Sequence, residues 1–152
     1  MFSHEDTKWM TMALELAEAA SVNGEVPIGA VIVQNGERIA GAKNRMEELY
    51  SAAAHAEILA INEAGQTLKN WRLDGATLYV SLEPCPMCWG AIKNSRISRV
   101  VFAASGQEAS NAEIKIEKGL FEKESVEILQ KFFHKTRKIK GDSGSKFLSC
   151  CT

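Results

Sequence analysis

Cys85 and Cys88 stand three positions apart in "LEPCPMCWG" (Leu82–Gly90), with Pro84 before the first and Pro86 between them. Two thiols at this spacing can bridge to each other, cycle as a redox pair, or share a metal ion. The N-terminus "MFSHEDTKWM" has an acidic pair where a secretory signal has a basic start. No apolar run reaches the roughly 20 residues of a bilayer span. A cytoplasmic protein with no membrane segment is expected, and there a structural disulfide is disfavoured. A metal needs further ligands. Of the three histidines, His4 lies near the terminus and His134 in a basic segment, whereas His55 opens a predicted helix in "AAAHAEILA". Cys150 and Cys151 fall in a polar tail and read as exposed thiols. Three good ligands suit a catalytic zinc, which keeps a position for water, better than a structural zinc closed by four. Glu57, two residues after His55, can stand beside that water and carry its proton. Each residue also has a plainer use. His55 could be a satisfied polar group, Glu57 a complement to the helix dipole, and C-x-x-C a thioredoxin-like pair. "HAE" followed after 26 residues (58 to 83) by "PCPMC" favours the catalytic metal.

The elements that must hold these residues follow from periodicity and turn signals. With 152 residues and 45% hydrophobic content, the chain can build one self-sufficient core. Trp9, Met12, Ala13, Leu16, Ala17 and Ala20 recur at helical spacing from Glu5 to about Asn23. Ile28–Gln34 is rich in β-branched residues, and Asn35-Gly36 predicts a hairpin to a return strand at Arg38–Ala42. A helix is predicted over Ala54–Ala64, a buried strand over Ala76–Leu82, a helix over Pro86–Ser95 and a strand over Arg99–Ala104. "AEIKIE" (Ala112–Glu117) alternates as a half-buried strand, and a last helix runs from about Lys123 to Arg137. Residues 1–140 read as one domain and 141–152 as a disordered tail. This order predicts an α/β fold with helices on both sheet faces. Helix starts that follow strands gather on one sheet edge, so His55, Cys85 and Cys88 can meet there. The net charge of −1 excludes nothing. The run Lys131, Lys135, Arg137, Lys138 and Lys140 is either a solvated helix face or a contact for nucleic acid phosphates.

H-x-E with P-C-x-x-C is the signature of zinc deaminases. The chain resembles the cytidine deaminase-like zinc hydrolases, and within them the bacterial tRNA-specific adenosine deaminases. Beyond the zinc motif, the resemblance rests on "EVPIGAVIV" (Glu25–Val33), Asn44-Arg45, "AHAEILAI" (Ala54–Ile61), "NWRLDGATLYVSLEPCPMCWGAI" (Asn70–Ile92) and "SRISRVVFA" (Ser95–Ala103). It implies a three-layer α/β/α fold around a mixed five-stranded sheet. It also implies one Zn²⁺ per chain on His55, Cys85 and Cys88, with Glu57 as proton shuttle. Adenosine would become inosine at the wobble position of a tRNA anticodon loop, and the enzyme would be a homodimer. The resemblance further implies substrate contacts at Asn44, Val26, Pro27, Ala56 and Arg72. Two departures stand out. "YSAAAHAE" (Tyr50–Glu57) replaces the threonine that usually precedes "AHAE", and only Ser105–Ala112 separates the fourth and fifth strands. So short a connection leaves the fifth strand parallel or antiparallel. It also keeps open a deaminase of free nucleobases or nucleotides, of guanine or cytosine type. A non-catalytic zinc-bearing subunit is the third possibility, against which Glu57 argues.

Overall fold

The computed structural model describes residues 1–106 and 113–140. The expected disordered tail, with Cys150 and Cys151, lies outside the described residues. Ten elements follow in order: α1 (His4–Val22), β1 (Gly29–Gln34), β2 (Glu37–Lys43), α2 (Met46–Leu49), α3 (Ala56–Leu68), β3 (Thr77–Leu82), α4 (Pro86–Asn94), β4 (Arg99–Ala104), β5 (Lys115–Lys118) and α5 (Glu122–Lys140). The strands form one sheet in the order β2-β1-β3-β4-β5. The hairpin turn has Asn35 at φ 53° and Gly36 at φ 76°, the two left-handed residues a type I′ turn demands. β1 runs antiparallel to both β2 and β3, while β3, β4 and β5 are parallel. The open direction of the fifth strand is thus parallel. The strand starts at Lys115 rather than Ala112.

Alternation along the strands divides the core. Ala30, Ile32, Leu78, Val80, Val100 and Phe102 face α3 and α4, where Ala56, Ala60, Ala64, Trp89 and Ile92 pack on them. Val31, Val33, Tyr79, Val101 and Ala103 face α1 through Trp9, Met10 and Ala13. α5 packs on β3 and β4 and touches α1. Gly29 permits the α1 contact, since a Cβ there would lie 2.0 Å from the Ala13 carbonyl oxygen and 2.8 Å from the Ala17 nitrogen. The sheet's mixed directions then decide what shares an edge. Gly29 pairs with Lys43, Ala30 with Val80, and Leu82 with Ala104. The approach to β1, the exit of β2 and the exits of β3 and β4 therefore lie at one end of the sheet. The start of β3 lies at the other, where Thr77 pairs with Val33.

Candidate active site

Two helix starts meet at that shared end. Cys85 is the N-cap residue of α4, with extended backbone (φ −73°, ψ 169°) and Pro86 in the first helical turn. Proline suits this place because a first-turn amide has no intrahelical partner to lose. His55 holds the same position on α3, at φ −74° and ψ 150°. The helix thus begins at Ala56 rather than the expected Ala54, and His55 stands at its mouth. Cys88 lies one turn into α4 and is fully buried.

His55 Nδ1 lies 3.6 Å from Cys85 Sγ and 3.5 Å from Cys88 Sγ. The three ligand atoms all lie within 4.8 Å of one another, and among the described residues they are the group placed to hold a metal ion. Zinc bonds of roughly 2.3 Å to sulfur and 2.0–2.1 Å to nitrogen, at a tetrahedral angle, would put each sulfur about 3.6 Å from the nitrogen. The donor atoms stand at the spacing zinc requires. Burial lowers the His55 pKa, favouring the neutral imidazole that can donate a lone pair. Burial first, and then the Glu57 carboxylate, push the Cys88 thiol far up. A thiol so placed ionises only with a cation beside it.

Glu57 occupies the first turn of α3 at 3% exposure. Its carboxyl faces the Cys88 thiol, and burial pushes its pKa up to about 7. It stands beside the ligands without joining them.

The flanking residues are held by backbone bonds. Asn44 is buried, and its Oδ1 accepts from the Ala56 amide at 2.8 Å. Its own amide donates to Ile28 O at 3.1 Å. Asn44 thus ties the exit of β2 to the start of α3 and to the Val26–Pro27 segment ahead of β1. Val26 is half-buried, Pro27 and Ala56 are buried. Arg72 is not brought to this end. It precedes β3, on the far side of the sheet from Cys85, and its guanidinium pairs with Asp74 at 2.9 and 3.1 Å. Two buried carboxylates escaped sequence reasoning. Glu25 accepts from the amides of Glu47 and Glu48 at 2.9 and 3.0 Å, and Glu83 accepts from the Gly106 amide at 2.8 Å. An acidic residue inside each apolar motif, "EVPI" and "LEPC", was the available signal.

A mixed sheet bearing a His-Cys-Cys cluster that could hold a metal ion, with a buried glutamate at the same two helix starts, is the fold and site of a deaminase. The family model of the MafB19-like deaminases matches residues 4–137. A tRNA-specific adenosine deaminase of Bacillus subtilis is 45% identical over 150 residues, covering 90% of this chain and 93% of that protein. A solved tRNA:A34 deaminase, described as editing A to I at the wobble position, superimposes with a TM-score of 0.76 at 41% identity. That match covers 80% of this chain and 99% of the other. A guanine deaminase of Bacillus subtilis reaches a TM-score of 0.64 at 40% identity, but covers 68% of this chain and 66% of its own. The chain belongs to the MafB19-like deaminase family, among relatives named tRNA-specific adenosine deaminases.

Proposed function

We propose that this chain is a zinc-dependent adenosine deaminase that converts adenosine to inosine at the wobble position of tRNA. The observation that carries the proposal is the His55–Cys85–Cys88 cluster at zinc spacing with Glu57 buried against Cys88. One Zn²⁺ per chain held by these three residues would lower the pKa of a water molecule and ready it for attack. Glu57 takes a proton from the attacking water and returns one to the departing amine. Water is thereby added at the carbon bearing the amino group, and ammonia leaves. Asn44 orients the base or ribose, while Val26, Pro27 and Ala56 wall the pocket around it. Arg72, at the opposite end of the sheet and paired with Asp74, is kept only as a candidate contact for a phosphate away from this pocket. Residues 1–140 act as the single catalytic domain.

A tRNA substrate is supported by identity over nearly whole chains, 45% to the tRNA-specific adenosine deaminase and 41% to the A34 deaminase. Against these stand 27% for a guanine deaminase of Nitrosomonas europaea and a match to only two thirds of the Bacillus subtilis guanine deaminase. An anticodon loop offers splayed bases, the form in which RNA sequence is usually read. No helix among the described residues is long and apolar enough to cross a membrane. A tRNA substrate would place the enzyme in the cytoplasm, where we propose that it acts as a homodimer. The guanine deaminase match favours one competing reading, a free-nucleobase deaminase. To separate them, an anticodon stem-loop with adenosine at the wobble position is offered beside free guanine, cytosine, adenosine and cytidine. Inosine in the stem-loop alone is the expected result. Ammonia from a free base or nucleoside alone would replace the tRNA assignment with the nucleobase one.

A further inference from the structure

We infer that Glu25 is a positioning residue whose buried carboxylate clamps the loop between Asn44 and His55 against the Val26–Pro27 segment, and so steadies the two residues at the loop's root. The inference rests on the tRNA deaminase assignment above. Glu25 is 2% exposed, and its two oxygens accept from consecutive amides, Glu47 N at 2.9 Å and Glu48 N at 3.0 Å. Those amides belong to the first turn of α2, where no intrahelical acceptor exists. The N-cap residue Arg45 makes no side-chain bond to the helix amides, its guanidinium pairing instead with the exposed Glu48 carboxylate at 2.8 and 3.0 Å, and α2 buries none of its residues. Apolar packing therefore does little to hold α2, and the carboxylate, 22 and 23 positions away in sequence, does.

The loop that carries α2 is closed at its neck. Arg45 N donates to Ala54 O at 3.0 Å, and Ser51 N to Met46 O at 3.0 Å. Just beyond the neck lies the bond from Ala56 N to Asn44 Oδ1. The loop's own bonds fix its shape, the neck fixes its root beside the ligand His55, and Glu25 fixes the angle at which its body leans. Tyr50 caps α2 in the left-handed region at φ 50° and is 97% exposed. Such a backbone persists in a side-chain-bearing residue only where its surroundings over-determine it. Glu25 and Val26 also wall a groove of about 460 Å³ whose other side includes Met46, Glu47 and Lys135 of α5. None of Asn44, His55, Glu57, Cys85 and Cys88 lines that groove, so the clamp reaches the site through the loop's root at Asn44 and His55.

Glu25→Gln keeps the shape but sets an amide NH₂ against one of the two donors. Three quantities are measured on the zinc-loaded variant: amide exchange across residues 44–56, zinc per chain, and stem-loop kinetics. The expected result is faster exchange in residues 46–49 with β1 and β3 unchanged, full zinc, and KM raised about tenfold while kcat stays within about twofold. Glu25→Asp, which keeps both acceptors on a shorter stem, should recover part of the KM. Unchanged exchange would overturn the clamp. Faster exchange with unchanged KM would overturn its role in positioning. Loss of zinc, Tm and kcat with KM unmoved would make Glu25 a structural prop only. Should Glu25→Gln fail to fold, Glu25→Asp is measured in its place against the same outcomes. The exchange arm needs no substrate, so a wild-type protein inactive on the stem-loop would refute the tRNA assignment while the clamp is judged separately.

Discussion

At His55 the same burial that keeps the imidazole neutral also points it at two sulfurs. A protonated imidazole has no lone pair to offer at Nδ1, so desolvation prepares the ligand. Cys88 is the opposite case, because burial holds its thiol away from ionising. A cation that the folded chain gathers these donors to bind adds its binding energy to the folding energy. Cys85→Ala and Cys88→Ala should each lower both bound zinc and Tm. The Tm loss should be about 5–10 °C, the shift expected when a ligand at a hundredfold its Kd is removed. Zinc content unchanged in both variants, by elemental analysis, would refute the ligand set. His55, Cys85 and Cys88 could be singled out because helix starts and metal-ligand spacing are local features, and the structure brings their donor atoms together. Asn44 was legible only as a type. Its bond to the Ala56 amide appears once β2 and α3 are neighbours, which no local pattern encodes.

The elements divide in the same way. The β1–β2 hairpin was readable because Asn35-Gly36 supplies the two left-handed residues on its own. α2 was not, because four residues without apolar periodicity are held by a carboxylate from elsewhere in the chain. The direction of β5 also resisted, since it depends on the path of a connection rather than on the strand's own residues. Glycine 29 tests the packing of α1 on the sheet. Gly29→Ala puts a methyl group 2.0 Å from a backbone oxygen of α1, so the whole helix must shift. Destabilisation of at least about 1–3 kcal/mol is expected from denaturant unfolding. A change below about 0.5 kcal/mol would mean that α1 adjusts freely.

Across the whole molecule, one buried network ties the first helix to the far strands. Asp6 accepts from Tyr79 Oη at 2.7 Å and from the two terminal guanidinium nitrogens of Arg99 at 2.9 and 3.2 Å, while Arg99 Nε donates to Glu117 at 3.0 Å. The bond to Arg99 holds the Asp6 carboxyl well below the usual carboxylate range. A depressed folded-state pKa means stability present above the unfolded value of about 3.9 and lost as pH falls from there toward the folded value. Stability should therefore decline on acidification below about pH 4, and Asp6→Asn should flatten that decline at a cost of about 2 kcal/mol at neutral pH. An unaltered acid profile in Asp6→Asn would assign the decline to other groups. The basic end of α5 belongs to this scale too. If Lys135 and Lys138 meet phosphates, replacing each with alanine should reduce the salt slope of stem-loop affinity by about 1. A flat salt response in the wild-type protein would return that face to solvent.

The most direct test of the central claim sets zinc content and turnover side by side in Glu57→Gln. On the proposed function, metal binding falls to His55, Cys85 and Cys88 and proton transfer to Glu57 alone. The variant should therefore keep one zinc per chain and its fold while losing about 10²–10⁴-fold in stem-loop deamination. Turnover retained within about tenfold, or zinc lost together with activity, would contradict that division of labour.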